Sequence, residues 1–220
     1  MTEFYLKIKL LSDALVGSGE SFGANIDSDI YFDDFGLPYI PAKRIKGCLK
    51  DTAQELINSE FPIKFDITST FGTRDEENKE GNVVFSNLFI SDYADVSFRL
   101  GKIKSSNKTY KTLFNKDSIL ENYTYLRSQT AIDSETLIAQ VHSLRTNRVL
   151  CKDLCFYGKI KISRKSSKEI LNTIALAVRN FRYFGTMRNR GLGKIECQLL
   201  KKIDGTDVSL DILKGKVKVL

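Results

Sequence analysis

Alternating apolar and polar residues predict several half-buried strands along the chain. Residues 4–16, FYLKIKLLSDALV, alternate over their first half, and residues 81–95 and 155–163 show a similar pattern. Residues 193–204 predict a further strand, and residues 215–220 predict a closing strand at a sheet edge. Such alternation is typical of strands that pack one face on a core.

Two segments have apolar residues at helical spacing. Residues 43–58, which follow Pro41, predict an amphipathic helix, and residues 165–184 predict a second helix that Ser166 or Ser167 can cap. The predicted buried positions are Ile45, Leu49, Ala53, Leu56 and Ile57 in the first helix, and Ile170, Ile174, Leu176, Ala177 and Phe181 in the second.

The remaining segments predict loops and one long hairpin. Residues 17–29 are glycine-rich, residues 30–40 read as two extended pieces that turn at 34–36, and residues 96–122 lack periodicity and predict irregular structure. Residues 123–133 and 135–150 predict a hairpin that turns near Asp133–Ser134. Because the hairpin is polar on both faces, we expect it to project from the body.

The order of these elements predicts an α+β fold. The predicted order is strand, helix, strand, polar hairpin, strand, helix and strand. This order resembles a split β-α-β arrangement, in which helices cover one face of an antiparallel sheet. We therefore expect one domain over 1–220, with insertions at about 60–82 and 96–122 and the hairpin at about 123–150. No apolar run reaches about 18 residues and the chain start does not resemble a secretory signal, so we expect a cytoplasmic protein without a membrane segment.

Charge is clustered along the chain. The net charge is +7, and three stretches hold cations without acids: residues 41–50, 97–116 and 179–194. An acidic, turn-rich stretch at 72–82 reads as a solvated loop. The clustering favours a surface that follows phosphates, although cations that merely solvate the surface are the alternative.

Candidate chemistry is limited to a few residues. Residues 185–197, GTMRNRGLGKIEC, combine three glycines with three cations, which suits an anion-binding loop. Asp27 lies in the glycine-rich loop, where it either takes a proton from a ribose hydroxyl, holds a divalent cation or makes an ordinary turn. The four scattered cysteines favour reduced thiols over a zinc site, and the single histidine, His142, is a candidate general base or an exposed side chain.

Several motifs together resemble a known family. In chain order these motifs are LVGSGE, NIDSDI, LPYIPAKRIKGCLK, FGT, GNVVFSN and GTMRNRGLGKIE. Together they resemble the RAMP superfamily of CRISPR-associated proteins, and most of all the crRNA-binding backbone subunit of type III effector complexes. The resemblance covers roughly 4–200 and implies an RRM-like ferredoxin core with a thumb hairpin. The basic PAKRIKG departs from the small or serine-rich turn that family members usually have there.

The resemblance also implies roles and partners. Asp27 corresponds to the loop aspartate with which catalytic members cut target RNA in a step that needs a divalent cation, expected to be Mg²⁺, without an organic cofactor or a dedicated metal-ligand set. The implied partners are crRNA, target RNA, other RAMP subunits, further copies of this chain and a large polymerase-like subunit. Residues expected to bind RNA are Lys43, Arg44, Lys46, Gly47, Arg127, Arg145, Arg148, Arg188, Arg190, Gly191 and Gly193.

Two alternative functions stay open at this point. The chain could be a structural or capping RAMP subunit that binds RNA without cutting it. It could also be a repeat-processing endoribonuclease that uses His142. Whether Asp29, Asp33 or Asp34 helps to place a metal ion is not decided by their spacing.

Overall fold

A six-stranded antiparallel sheet forms the centre of the fold in the computed structural model, which describes residues 2–19, 26–57, 64–73, 80–106, 112–163 and 167–216. A separate two-stranded hairpin is formed by β5 and β6. The strands are β1 (Thr2–Leu10), β2 (Tyr39–Ile40), β3 (Val83–Phe85), β4 (Leu88–Ile90), β5 (Thr124–Gln129), β6 (Arg145–Leu150), β7 (Cys155–Ile162) and β8 (Ile195–Leu200).

The connectivity confirms the predicted fold class. The strand order in the large sheet is β2-β4-β7-β1-β8, and β3 also pairs with β7. Each of these pairings is antiparallel. Two helices, Ala42–Ile57 and Ile67–Phe71, lie between β1 and β3, and a further helix lies between β7 and β8, which gives the split β-α-β pattern of a ferredoxin-like core. The hairpin is inserted between β4 and β7.

The helices supply the second layer of the core. Their bounds are α1 (Ala42–Ile57), α2 (Ile67–Phe71), α3 (Tyr93–Ser106), α4 (Lys116–Leu120), α5 (Lys168–Asn180) and α6 (Ser209–Leu213), with a 3-10 turn at Arg188–Arg190. Phe4, Leu6, Ile8 and Leu10 of β1 are at most 1% exposed and belong to one apolar cluster with the buried residues of α1 and α5. The alternate side chains of β1 lie on the opposite sheet face, which these helices leave uncovered.

The two predicted helices are present with small changes. In α1, Ile45, Leu49 and Ala53 are buried as expected and Leu56 is half-buried, while the side chain of Ile57 lies outside the described residues. In α5, the predicted positions are buried, but so is every residue from 170 to 178, because α1, α2 and α6 all pack against this helix. Ser167 is the N-cap residue without a side-chain capping bond, and Ser166 lies outside the described residues.

Two predictions about local structure were wrong. Residues 96–122 are not irregular throughout, because α3 and α4 lie there; Tyr93, Val96 and Leu100 pack on the core at helical spacing. The strand predicted at 81–95 is split into β3 and β4 by Ser86–Asn87, and α3 begins at its end. At the break the Ser86 N–H still donates to the Lys159 carbonyl oxygen at 2.9 Å, but the Lys159 N–H donates to Ser86 Oγ at 2.7 Å, so a side chain replaces one backbone acceptor of the ladder.

Near the C-terminus the chain forms a short helix that the sequence did not predict. The bounds of this helix, α6, are Ser209–Leu213, and Ile212 is 2% exposed. The edge strand expected at 215–220 falls mostly on residues 217–220, which lie outside the described residues. The acidic loop at 72–82 is likewise described only at its two ends.

Candidate nucleic-acid interface

The start of α1 offers side chains to an anion. Its first turn contains no acid, and Lys43 and Arg44 are exposed. Arg44 donates a hydrogen bond from Nη2 to the carbonyl oxygen of Gly17, which ties the helix start to the glycine-rich loop. The backbone N–H of Ala42 donates to the Asn87 side-chain oxygen at 2.9 Å, so it is not free for a phosphate. At this helix start an anion would therefore be bound mainly by the positive side chains.

Lys46 and Gly47 lie on two different sides of α1. Lys46 and Lys43 line a groove of about 390 Å³ together with residues 80–85. Gly47 faces open space, because a methyl group added to its Cα would meet nothing within 4 Å. A glycine inside a helix costs about 1 kcal/mol relative to alanine, and here no packing requires it. A bare helix surface of this kind permits the close approach of another chain.

The second basic segment is a single 3-10 turn, Arg188–Arg190, that projects into solvent. Met187 before it and Gly191 after it are both in the left-handed region, with φ of 57° and 80°. Gly191 adopts this conformation without strain and has no neighbour within 4 Å of an added Cβ. Arg188 donates from Nε to the Gly185 carbonyl oxygen at 3.1 Å, which braces the turn. Both arginines and Gly191 are exposed.

Gly193 has a structural role in the same loop. Its φ is 79°, and an added Cβ would run into the backbone carbonyl of Phe184. Its N–H donates to the Asp13 carbonyl oxygen at 2.7 Å, and its carbonyl oxygen accepts from the Phe184 N–H at 2.8 Å. The residue is buried, and its N–H is not available to a phosphate. Gly193 therefore positions the arginine turn but does not present a donor of its own.

The three arginines of the hairpin differ in what they can contact. Arg145 is exposed and Arg127 is half-buried. Arg148 turns inward, where its side chain is 15% exposed and its Nε lies 3.0 Å from Oδ1 of Asp29. The hydroxyl of Tyr125 is already hydrogen-bonded: it donates to Asp13 Oδ2 at 2.8 Å, and this bond raises the pKa of Tyr125. Of the predicted hairpin contacts, Arg145 is the most available to an anion.

Asp27 is held against the base of the hairpin. Its Oδ1 accepts from Arg145 Nη1 at 2.9 Å and its Oδ2 accepts from the Thr146 N–H at 2.7 Å. Its own N–H donates to the Thr146 carbonyl oxygen at 2.8 Å. The backbone N–H of Thr146 and then the Arg145 guanidinium hold the pKa of Asp27 below its usual value. Asp27 is consequently an exposed, fully ionised carboxylate at neutral pH.

The three neighbouring acids are engaged elsewhere. Asp29 is 2% exposed, and its Oδ1 accepts from Arg148 and from the Ile30 N–H. Asp33 caps the turn at 34–36 through Oδ1 and accepts from the Tyr93 hydroxyl through Oδ2. Asp34 lines a separate cavity of about 300 Å³ near α3 and α4. Asp27 is thus the one carboxylate of this group that faces the hairpin base from the solvent side.

These residues form a continuous line on the surface. Arg190 Nη1 lies 3.3 Å from Oε1 of Gln129, Gln129 pairs across the hairpin with Arg145, and Arg145 contacts Asp27. Arg188 lines a cavity of about 290 Å³ that includes Cys48 of α1, which joins the line to the helix. We call this set, which is exposed except for the half-buried Gln129, the basic strip; its members are Asp27, Arg44, Gln129, Arg145, Arg188 and Arg190.

The third basic stretch, 97–116, is placed elsewhere. Lys104 Nζ lies 5.5 Å from the centre of the Phe35 ring, and Lys116 Nζ lies 4.6 Å from the centre of the Phe32 ring. These lysines pack over the aromatic side chains of the turn that precedes β2. The arginine turn of the 179–194 stretch therefore contacts the hairpin, Arg44 of the 41–50 stretch contacts the glycine-rich loop, and the third stretch covers a different part of the surface.

His142 and the cysteines do not form a reactive cluster. His142 is exposed in the distal loop of the hairpin, with φ of 60°. The cysteines are unpaired and half-buried, and burial raises the pKa values of Cys48, Cys151 and Cys197. Among the described residues no group of three or more His, Cys, Asp or Glu side chains could hold a metal ion.

Asp13 is a central residue of this region that sequence reasoning missed. Its Oδ2 accepts from Tyr125, its Oδ1 accepts from the Lys152 N–H at 2.8 Å, and its carbonyl oxygen accepts from Gly193. One residue thereby ties the end of β1 to the hairpin and to the glycine loop. Its only signal in the sequence is a lone acid three residues after the end of a strand, which is common and unspecific.

The chain matches the model of one protein family. The model of the RAMP superfamily matches residues 7–196. A search of curated proteins finds no match. Within the described residues no helix is both long and apolar enough to cross a membrane.

Solved structures with a similar fold include subunits of a CRISPR effector complex. A chain of the type III-B Cmr-beta complex in its apo state superposes with a TM-score of 0.64 at 16% identity, over 91% of this chain and 98% of that one. A chain of type III-B Cmr-beta bound to cognate target RNA gives a TM-score of 0.66 at 13% identity, over 96% of this chain and 99% of that one. At such identities the likeness concerns the fold.

Proposed function

The chain belongs to the RAMP superfamily, and on that premise we propose that it is a crRNA-binding backbone subunit of a type III CRISPR effector complex. The similar folds in Cmr-beta, one of them bound to target RNA, support this assignment. The observation that carries it is the basic strip, in which Arg190, Gln129, Arg145 and Asp27 follow one another at the base of the hairpin. The expected partners are crRNA, target RNA, other RAMP subunits, further copies of this chain and a large polymerase-like subunit.

The basic strip suits the RNA backbone rather than base sequence. Arg44, Arg145, Arg188 and Arg190 are exposed guanidinium groups, which bind phosphate oxygens in bidentate geometry. Contacts of this kind position a strand but carry no sequence information. The subunit would hold the guide in place while base pairing with the guide selects the target. Lys43 and Lys46 line a separate groove beside residues 80–85, and Gly47 leaves the surface of α1 bare for the close approach of a strand.

We further propose that Asp27 takes part in cutting the target strand. The carboxylate is exposed at the base of the projecting hairpin, beside the arginine that we assign to a phosphate. Its lowered pKa makes it a weak general base at neutral pH but keeps it fully ionised. The charge therefore fits a role in which Asp27 holds a cation beside the scissile phosphate.

The carboxylate of Asp27 could serve as one ligand of a divalent cation. Mg²⁺ is commonly bound by one or two carboxylates together with substrate phosphates and water. Asp27 can supply one carboxylate, whereas Asp29 is paired with Arg148 and Asp33 is capped within its own turn. Such a cation would neutralise charge that develops on the phosphate. The Arg145 side chain, 65% exposed, is able to move from Asp27 to a phosphate oxygen.

A non-catalytic subunit is the second candidate function. The observation that favours it is that both carboxylate oxygens of Asp27 are engaged, one by Arg145 and one by the Thr146 N–H. In that case Asp27 would serve to anchor the hairpin to the loop. The same RNA contacts would remain, and the bound target would stay intact.

The variant Asp27→Asn separates the two candidates in the assembled complex. If Asp27 is catalytic, cleavage of bound target RNA falls by at least ~100-fold, while target affinity is retained, because the phosphate contacts are unchanged. The control is Asp95→Asn on α3, where another exposed aspartate pairs with an arginine, Arg99, at 2.8 Å. Cleavage at the same positions and rate in Asp27→Asn would assign the chain to the non-catalytic class.

A further inference from the structure

A groove of about 730 Å³ lies on the sheet face that the helices leave uncovered. Its floor is formed by Tyr5 of β1, Phe89 of β4 and Tyr157 of β7. Its volume is within the range of about 300–1,000 Å³ that is typical of ligand-binding clefts. None of these three residues belongs to the basic strip.

Strand register places the aromatic side chains in one row. Tyr39 pairs with Phe89, Phe89 pairs with Tyr157, and Tyr157 pairs with Lys7, so that four successive strands contribute to the row. Directly opposed residues of antiparallel strands point to the same face of a sheet. Three half-buried rings therefore lie side by side across the open face, and each can present part of its surface to a ligand.

One wall of the groove is rigid. The Tyr93 ring lies 4.3 Å from the Phe89 ring, measured between centroids. The Tyr93 hydroxyl donates to Asp33 Oδ2 at 2.9 Å, and burial together with this bond raises the pKa of Tyr93 to about 12. Tyr93 thereby stays protonated and fixed, which holds Phe89 in position. A preorganised ring loses little entropy when a flat ligand stacks on it.

Cations accompany the rings of the floor. Lys7 Nζ lies 5.9 Å from the centre of the Tyr157 ring, and Lys159 Nζ lies 5.8 Å from the centre of the Tyr5 ring. Lys161 is the next outward-facing residue of β7 and is exposed. Flat aromatic surfaces that alternate with ammonium groups match a ligand in which flat rings alternate with anions.

We propose that this groove, which we call the sheet-face groove, binds two or three unpaired bases of a single-stranded RNA. The bases would stack on Tyr157, Phe89 and Tyr5, and the phosphates between them would contact Lys7 and Lys159. Base-aromatic stacking tolerates any sequence, because every base has a π face. Ser86 and Asn87 at the rim carry polar groups that can bond to base edges. The chain would then contact RNA on two surfaces, the basic strip and the sheet-face groove.

The groove contains features that an apolar protein contact does not need. Lys159, whose Nζ also lies 3.9 Å from Oε2 of Glu3, is an exposed cation within it, and Asp92 and Asp204 are exposed acids at its rim. Charged residues are depleted in the buried core of protein interfaces. A row of rings beside lysines is instead what single-strand binding surfaces combine. The proposal does not depend on the role of Asp27 or on the complex in which the chain works.

The test is equilibrium binding of fluorescein-labelled hexauridylate RNA to the full-length chain at low salt, followed by fluorescence anisotropy. It is carried out in an Arg188→Ala/Arg190→Ala background, so that binding to the basic strip is weakened. Tyr157→Leu keeps an apolar side chain but removes the ring, and Tyr157→Phe restores the ring. The matched control is Phe98→Leu on α3, an exposed ring with Lys102 Nζ 4.4 Å from its centre.

We expect affinity to fall on the order of tenfold in Tyr157→Leu and to stay unchanged in Tyr157→Phe and Phe98→Leu. If Tyr157→Leu does not fold, Lys159→Glu is the second variant, because the charge of this exposed side chain can be reversed without changing the core. The same loss of affinity is expected. Ultraviolet crosslinking should place uridine adducts on Tyr5, Phe89 or Tyr157.

The proposal is overturned if folded Tyr157→Leu, or Lys159→Glu in its place, binds hexauridylate as tightly as its background. It is also overturned if crosslinks map only outside the groove, which would leave a protein partner as the occupant. Failure here leaves the proposed function intact, because the strip arginines and Asp27 are tested by variants of their own. Conversely, loss of the strip contacts alone does not affect the expected result at Tyr157.

Discussion

Arg145 Nη1 lies 2.9 Å from Oδ1 of Asp27, although the two residues are 118 positions apart in the chain. The backbone N–H of Thr146 bonds to the other carboxylate oxygen, and Ser28 bridges to Asn147 in parallel. The glycine-rich loop thereby continues along the edge of β6. A carboxylate and an arginine are held together at the point where the hairpin leaves the body.

This contact predicts an unusually acidic Asp27. Because the folded state lowers the pKa, the ionised carboxylate stabilises the fold above the unfolded value of 3.8, and this contribution is lost as pH falls through the folded pKa. A carbon-detected NMR titration should give a midpoint below 3.8. In Arg145→Ala the midpoint should rise but stay lowered, because the largest cause is the Thr146 N–H. A midpoint at or above 3.8 in the unmodified chain would show that the contact is not formed in solution.

The buried pair of Asp29 and Arg148 should contribute more to stability than the exposed pair of Asp27 and Arg145. Asp29→Asn removes the carboxylate that faces a guanidinium only 15% exposed, so the free energy of unfolding should fall by about 3 kcal/mol. Chemical denaturation measures the loss. The matched variant Asp27→Asn, whose partner Arg145 is 65% exposed, should lose clearly less. Equal losses would mean that the 26–30 loop is not packed against the hairpin as described.

The two glycines of the arginine loop should respond differently to alanine. Gly191→Ala places a side chain at φ of 80° in open space and should cost about 1–2 kcal/mol, with less lost in Gly191→Asn. Gly193→Ala adds a clash with the Phe184 carbonyl and should cost about 3 kcal/mol or more. Urea unfolding of the three variants checks the order. A reversed order would contradict the structural role of Gly193.

Arg190 should contribute one phosphate contact to RNA binding. In Arg190→Ala, the slope of log affinity against log salt concentration should decrease by about 0.7 for a single-stranded RNA, because one fewer counterion is released. Anisotropy titrations at several salt concentrations measure this slope. Arg99→Ala on α3, which removes an exposed arginine outside the strip, should leave it unchanged. An unchanged slope in Arg190→Ala would remove this residue from the interface.

Periodicity was sufficient to predict the core, because each core element buries a regular set of side chains. Phe4, Leu6 and Ile8 alternate in β1, and Ile45 and Leu49 repeat in α1. The missed helix α3 buries only a narrow stripe, so its sequence shows little amphipathic contrast. The break between β3 and β4 depends on Ser86, whose side chain bonds across to β7, and such a long-range contact leaves no periodic signal.

The candidate site was predictable only as a set of residue types. Clustered cations and glycines indicated an anion-binding surface, and the loop aspartate stood out by its resemblance to a family motif. Which arginines face solvent was not predictable, because Arg148 is drawn inward by Asp29 and Arg145 is not. The linking roles of Asp13 and Gln129 likewise depend on contacts between segments that are distant in the sequence.

The most direct test of the central claim is photo-crosslinking of a guide RNA that carries single 4-thiouridines, with mass spectrometry of the linked peptides. The basic strip predicts that peptides around Arg44, Arg145 and Arg188–Arg190 crosslink to the same nucleotide or to its immediate neighbours. If these three segments crosslink to nucleotides far apart in the guide, or if the arginine turn does not crosslink, the strip does not bind one continuous RNA strand.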